Sequence, residues 1–380
     1  MNPALAPRRA YADRLRGFAL FGICLVNLPF IALPFGTISP EALGLADATA
    51  LLISALFVDA KFFILFSFLF GFGFSVQTAG RTPDEARRSF LRRLCGLFGL
   101  GLLHGLLLFP GDILTTYALL GLGLWALRDV SDRALHRCAV LALLVAVPAF
   151  TGLEYLVQTL PPPSADAQTA TIAAYRGSLA QILGQRWQDW PETVPFILLY
   201  NWPMAFAAFC WGLIAGRRGL LSAPEGILSL IHRYRWGLWV GAAFGNGAYV
   251  LASIATVPND RWFGMPFLAL GGPCLAILYA GWIARLDGRI ARILETAGRV
   301  SLSHYLGQSL CAVLIFNGLG LYAELGYGGL AVISVLIAAG LTGLGSLWLS
   351  VFRYGPAEWL LRCWTYGRWL PIRRDAAETA

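Results

Sequence analysis

Charge is what this sequence has least of. Only 13% of its residues are Asp, Glu, Lys or Arg, against 57% that are hydrophobic, a balance that excludes an ordinary water-soluble domain. Lysine is rarer still, since Lys61 is the single lysine among 29 basic residues and arginine supplies the rest. The seven cysteines, at positions 24, 95, 138, 210, 274, 311 and 363, form no CxxC pair and none falls in a predicted outer loop. That pattern supports neither a disulfide framework nor a metal site, and reads as small packing residues. No internal repeat is visible, which weighs against an inverted-repeat transporter. The net charge of +8 is no nucleic-acid signature, because membrane topology already accounts for the cations.

What the sequence has is long apolar runs. Ten candidate crossings lie near residues 17–36, 51–79, 94–109, 112–127, 138–158, 194–215, 236–257, 265–284, 301–322 and 329–352. Most approach the roughly 20 apolar residues that span about 30 Å of hydrocarbon. With the N-terminus in the cytoplasm and sides alternating, only Arg176, Arg186 and Arg261 fall outside and Lys61 falls within a span. The remaining 25 of the 29 basic residues lie inside, as cationic flanks that resist translocation should. The expected fold is all-α: a polytopic bundle of about ten transmembrane helices with both termini cytoplasmic, in a bacterial inner membrane and in contact with anionic lipid. Residues 1–16 form a cytoplasmic segment, 17–352 the membrane domain, and 353–380 a cytoplasmic tail that reads as a short amphipathic helix over 354–364. The first run is long for a signal peptide, and Pro29, Pro34 and Gly36 stand where a cleavage site would be, so it is read as a retained helix.

Polar groups inside spans carry the functional information, since each is costly in lipid and must face protein or water. They gather in one layer, the outer half of the membrane: Asn27, Asp59, Lys61, His104, Asp112, Glu154 and Asn201. His104 lies 12 residues beyond Arg92, about 18 Å at helical rise and therefore past the midplane. It is the only histidine deep in a span, flanked by Gly101 and Gly105, which admit a close neighbouring helix. Imidazole takes up a proton near neutral pH. Asp112, across a tight Pro110-Gly111 turn, can orient the ring or serve as the N-cap of the next helix. Lys61 is expected to snorkel outward, and Asp59 to pair with it or join His104. The outer loop 159–193 is read as a tether with an interfacial helix near 169–185 and tryptophan anchors, or as a lid over an outward cavity. The glycines among the phenylalanines of 62–74 follow no strand and are not a nucleotide fingerprint.

Several motifs carry a family resemblance. Asp13-Arg14-Leu15-Arg16-Gly17-Phe18-Ala19-Leu20 with Val26-Asn27, the run Leu65 to Gly73, His104 with Gly111-Asp112-Ile113-Leu114, Gly298-Arg299 with Tyr305 and Gln308-Ser309, and Gly355-Pro356-Ala357-Glu358-Trp359 together resemble the YeiB-like membrane proteins, domain of unknown function 418. The match runs from residue 13 to about 370. Its first helix is similar to that of the transmembrane acyltransferases, including the lysosomal enzyme that acetylates the terminal glucosamine of heparan sulfate; Asp13, Arg16-Gly17, Ala19-Leu20 and Asn27 are the shared elements. That similarity implies an acyl-CoA donor on the cytoplasmic side and a buried histidine that promotes transfer to an acceptor on the far side. The lysosomal enzyme carries its histidine between its first two helices. Residues 28–58 here contain none, so His104 has to serve from another helix.

On this reading Arg16, Arg92, Arg93 and Arg299 hold the phosphates of acyl-CoA. His104, oriented by Asp112 with Asp59 nearby, deprotonates a hydroxyl or amine acceptor such as a glycan, and Asn27 donates to the oxyanion. No metal is required. Two other classes compete. In a transporter or flippase, Asp59, His104 and Asp112 form a proton relay or substrate site; a passive scaffold would leave those groups as unexplained costs.

Overall fold

Backbone polar groups in hydrocarbon must be satisfied within the chain, so apolar runs of this length become helices. The computed structural model describes residues 6–34, 43–161, 163–254 and 264–374; Gly36, Pro162 and Arg261 lie outside them. The helices are α1 (Ala6–Ala32), α2 (Leu45–Phe57), α3 (Lys61–Thr78), α4 (Pro83–Leu107), α5 (Leu114–Ala126), α6 (Asp132–Thr159), α7 (Ala165–Tyr175), α8 (Leu179–Arg217), α9 (Pro224–Ile254), α10 (Leu268–Ala284), α11 (Gly288–Arg299), α12 (Ser301–Val313), α13 (Tyr327–Val351) and α14 (Pro356–Tyr366). Among the described residues the only extended pairing is an isolated bridge between Phe352 and Arg373.

Seven helical segments are long and apolar enough to cross a membrane, and the shorter α5 is apolar as well. The other two predicted crossings are occupied by α9 and by α12, which ends in a π-helical turn over Leu314–Gly318. Large apolar side chains face outward, among them Leu103, Leu141, Leu144, Val240, Phe244 and Leu347, as they do where lipid is the solvent. The chain is an all-α polytopic membrane protein.

Two expectations change. The second crossing is not one continuous helix: it breaks at Val58-Asp59-Ala60, where Ala60 takes a left-handed φ of 68°. The break frees carbonyls at the end of α2. Lys61 does not snorkel to solvent; it is fully buried, with its Nζ donating to the Ala55 carbonyl at 2.8 Å. Tyr279 Oη donates to the Phe57 carbonyl at 2.8 Å. A cation at a helix C-terminus is also favourably placed in the helix field. The outer segment, in turn, is no slack tether. It forms α7 and the first turns of α8, and it is fastened down: Arg176 donates to the Tyr322 carbonyl and pairs with Glu324 at 2.6 Å, and Tyr175 stacks on Tyr322 with centroids 4.6 Å apart.

The basic ends collect on one side of the bundle. Tyr11 Oη donates to the Ala280 carbonyl at 2.7 Å, and Arg14 Nη1 to the Leu286 carbonyl at 3.2 Å. There α1 and α11 cross at glycines: a Cβ on Gly17 would fall on the Leu294 carbonyl, and one on Gly298 on the Asp13 carbonyl. The predicted close-packing pair Gly241 and Gly245 likewise lets α9 approach α10 at Cys274 and Gly271.

The amphipathic tail helix is α14, and it is docked. Trp364 Nε1 donates to the Arg92 carbonyl at 2.8 Å. Glu358 caps α12, accepting from Leu302 N at 2.5 Å, Ser303 N at 3.2 Å and Ser303 Oγ at 2.5 Å. Burial pushes its carboxyl above the ordinary glutamate value, against the pull of those donors.

Glu358→Ala strands two buried N–H groups and should cost about 1–3 kcal/mol of stability, while Glu358→Gln keeps an acceptor. Because the folded state raises this pKa, it holds the proton more tightly than the unfolded chain. Wild-type stability relative to the Gln variant therefore falls as pH rises from the ordinary glutamate value through the raised one. Thermal melts of the pair should show the Gln advantage growing from acid to neutral pH; an advantage that shrinks contradicts the assignment.

Candidate functional site

His104 lies in the last turn of α4. Its carbonyl accepts both Leu108 N and Phe109 N at 2.9 Å, and the chain turns through Pro110-Gly111 into Asp112. The turn folds the carboxylate back onto the ring: His104 Nδ1 and Asp112 Oδ1 are 2.9 Å apart, with side chains 1% and 4% exposed. Asp112 Oδ2 accepts from Thr115 N at 2.9 Å and Thr115 Oγ1 at 3.1 Å. One carboxylate thus performs both roles open to it in the sequence, orienting the imidazole and capping α5. Tyr305 of α12 closes the site, donating from Oη to Asp112 Oδ1 at 3.3 Å with its ring 5.0 Å from that of His104.

This arrangement favours one tautomer. A carboxylate only accepts, so a neutral His104 facing ionised Asp112 carries its hydrogen on Nδ1 and its lone pair on Nε2. Among the described residues His104 Nε2 is buried and has no hydrogen-bond partner. A buried polar atom without a partner costs free energy, and here it is the basic atom of the ring. Gly101 makes the approach possible, because a Cβ there would fall on Asp112 Oδ2 and on the backbone nitrogen of Thr115. Beside Gly105 lies the indole nitrogen of Trp190, so that tryptophan packs against the end of α4 next to the site.

The other sequence candidates divide. Asn27 is half-buried on α1, one turn beyond Ile23 and one turn before Ile31. Asp59 belongs to a separate network at the helix break, where Oδ1 accepts from Ser54 Oγ at 2.7 Å and Oδ2 from Tyr249 Oη at 3.2 Å. On the basic side, Arg16 and Arg93 come together. Arg93 donates to Gln77 Oε1 at 2.9 Å and lies over the Phe70 ring, with its Nε buried and unpartnered. Arg16, held by Asp13 at 2.5 Å, and Arg362 of α14 both act on it electrostatically. Arg92 and Arg299 are exposed; Arg92 packs beside Gly367.

Sequence reading missed four contributors: Tyr305, Thr115, Arg186 and Asn317. Tyr305 stood in a recognised motif, but its neighbour His304 is the structural histidine there. Its Nε2 lies 3.1 Å from the Ala338 carbonyl and its Nδ1 3.0 Å from Gln308 Nε2. Arg186 counted only as an outer charge, whereas it is 3% exposed and bonded to the Leu107 carbonyl and, at 2.8 Å, to Asn317 Oδ1.

Comparison with known proteins places the chain in a family. The model of a protein of unknown function, DUF418, matches residues 215–368. The uncharacterized protein YxaH of Bacillus subtilis is 33% identical over 98% of both chains. This chain belongs to the YeiB-like DUF418 family. The uncharacterized protein YeiB of Escherichia coli is 29% identical across 93% of this chain and 95% of its own. An uncharacterized 39.9 kDa protein from the amylase 3' region of Bacillus acidopullulyticus is 28% identical over 98% of both. No solved structure matches.

Gly101→Val drives side-chain atoms into Asp112 and Thr115 and should cost about 1–3 kcal/mol as overpacking does. Gly99→Val, at an exposed position with nothing within 4 Å of its Cβ, should leave the melting temperature nearly unchanged. Equal melts for the two would contradict the contact.

Proposed function

We propose that this protein is an acyltransferase of the bacterial inner membrane, moving an acyl group from cytoplasmic acyl-CoA to a hydroxyl or amine acceptor at the outer side. The observation that carries the reading is the buried His104–Asp112 pair with a free Nε2. A base held in one tautomer by a carboxylate, in a dry setting, suits proton abstraction from an acceptor. His104 Nε2 takes the acceptor's proton as its oxygen or nitrogen attacks the thioester carbonyl. The tetrahedral intermediate then expels the CoA thiolate, which recovers the proton from the imidazolium. Asn27 is assigned the oxyanion. Arg16 and Arg93 are assigned the donor's phosphates, since two guanidiniums and Arg362 act on one another with Asp13 as the one acid bonded to them. Arg92 and Arg299 are peripheral on this account, and Asp59 supports the α2–α3 break.

One observation favours transport of a small or lipid-linked substrate instead. The second crossing is broken at a buried lysine beside an acid, and irregular backbone at membrane depth survives where protein or a cavity surrounds it.

The thermal stability of detergent-purified protein against acetyl-CoA separates the two. At 100 times its dissociation constant a donor that binds only the folded state adds about 2.7 kcal/mol. The rise should be saturable, lost in Arg93→Gln and kept in Arg299→Gln. Turnover, once an acceptor is supplied, should fall about 10²–10⁴-fold in His104→Ala. No shift up to millimolar acetyl-CoA contradicts the donor site and favours transport.

A further inference from the structure

Arg186 is a cation buried at the outer end and, among the described residues, in direct contact with no acid. Its two hydrogen bonds go to neutral acceptors, the Leu107 carbonyl and the Asn317 amide oxygen. Asn317 is itself 4% exposed and held by the π turn, donating from Nδ2 to the Tyr175 carbonyl at 3.0 Å. Among the described residues no carboxylate lies within ion-pair distance of Arg186. Asp189 acts on it electrostatically but is already occupied, accepting from Tyr175 Oη at 2.6 Å and Gln185 Nε2 at 2.7 Å. A guanidinium has five N–H donors, so part of its donor edge finds no protein acceptor. Burying a charge this way is costly unless something pairs with it.

What lies beside that edge is a pocket. Arg186 lines it together with Phe30, Ile31, Phe109, Tyr175 and Tyr322. We propose that the pocket is a binding site for an anionic group, a carboxylate or a phosphate, paired with Arg186 between aromatic walls. Guanidinium is matched in shape to both groups and binds them through parallel N–H bonds. Phe109 joins this pocket to the candidate catalytic pair, since its ring meets that of His104 edge-on with centroids 6.2 Å apart. Where acyl transfer holds, the site selects an acidic acceptor, either a free acidic sugar or a phosphate-bearing lipid; that identification rests on the function proposed above, whereas the anion affinity does not.

The test is thermal stability of the purified protein with no acyl donor present. The soluble probes are inorganic phosphate and glucuronate against chloride at equal ionic strength. The lipid probe is phosphatidylglycerol against phosphatidylcholine in the micelle. Wild type should gain a saturable rise of about 2 °C or more, and Arg186→Gln should abolish it. Because Arg186→Gln also breaks the bond to Leu107 and can fail to fold, Phe30→Glu is the second variant. Phe30 is half-exposed, and a carboxylate there supplies the counter-charge from within, so this variant should melt higher than wild type and ignore the probes. A response to soluble anions that both variants remove supports a free acidic ligand. A response confined to phosphatidylglycerol and removed in the same way supports a headgroup. No response up to about 100 mM probe, or a response that persists in Phe30→Glu, overturns the site. Neither result bears on the acetyl-CoA titration, so the two proposals fail separately.

Discussion

A polar group buried without a partner is costly, inside hydrocarbon by several kcal/mol, and that constraint accounts for several buried charged side chains of this chain. Lys61 closes the open end of α2, Glu358 closes the start of α12, and Glu154 accepts Gly264 N and Met265 N where the chain re-enters before α10. Asp112 is fully engaged by His104, Thr115 and Tyr305. Against this background the unpaired groups stand out. Among the described residues His104 Nε2 and Arg93 Nε are buried without a partner, as are Arg14 Nε, Asn246 Oδ1 and Gln308 Oε1; three groups concern the proposals made above, His104, Arg93 and the buried cation Arg186.

Those three groups lie at different depths. Arg93 sits at the basic end with Arg16 and Arg362, His104 past the middle of α4, and Arg186 at the outer end beside the α4–α5 turn. A cationic inner site, a buried base and a cationic outer pocket suit a reaction whose donor and acceptor come from opposite sides. The outer segment formed by α7 and the start of α8 supplies Trp190, Tyr175 and Arg186 to the same end. It is therefore fastened against the outer end of the bundle as well as joining two crossings.

Much of this was legible in the sequence, for a physical reason. Hydrophobic length is read by the membrane itself, so the places of the apolar crossings follow from composition. The sequence put His104 and Asp112 on either side of a short turn and left open whether they touch; the structure brings them to 2.9 Å, with Gly101 leaving room for the approach. What escaped were partners distant in sequence. Tyr305 lies 193 residues from Asp112 and Asn317 lies 131 from Arg186, and no local pattern signals either. Lys61 was misjudged because hydropathy sees a charge near an outer end, whereas the left-handed turn at Ala60, which gives that charge a buried acceptor, has no signature in an alanine.

The central claim is that His104 is a base whose proton is held on Nδ1 by Asp112. The nitrogen spectrum of protein labelled with ¹⁵N-histidine, with His104 identified by its loss in His104→Gln, reads the tautomer directly. The account predicts a protonated Nδ1 and a bare Nε2 at neutral pH, and loss of that preference in Asp112→Ala. A protonated Nε2 in the wild type would contradict it, because the ring would then have no lone pair to offer an acceptor and the pair would be structural.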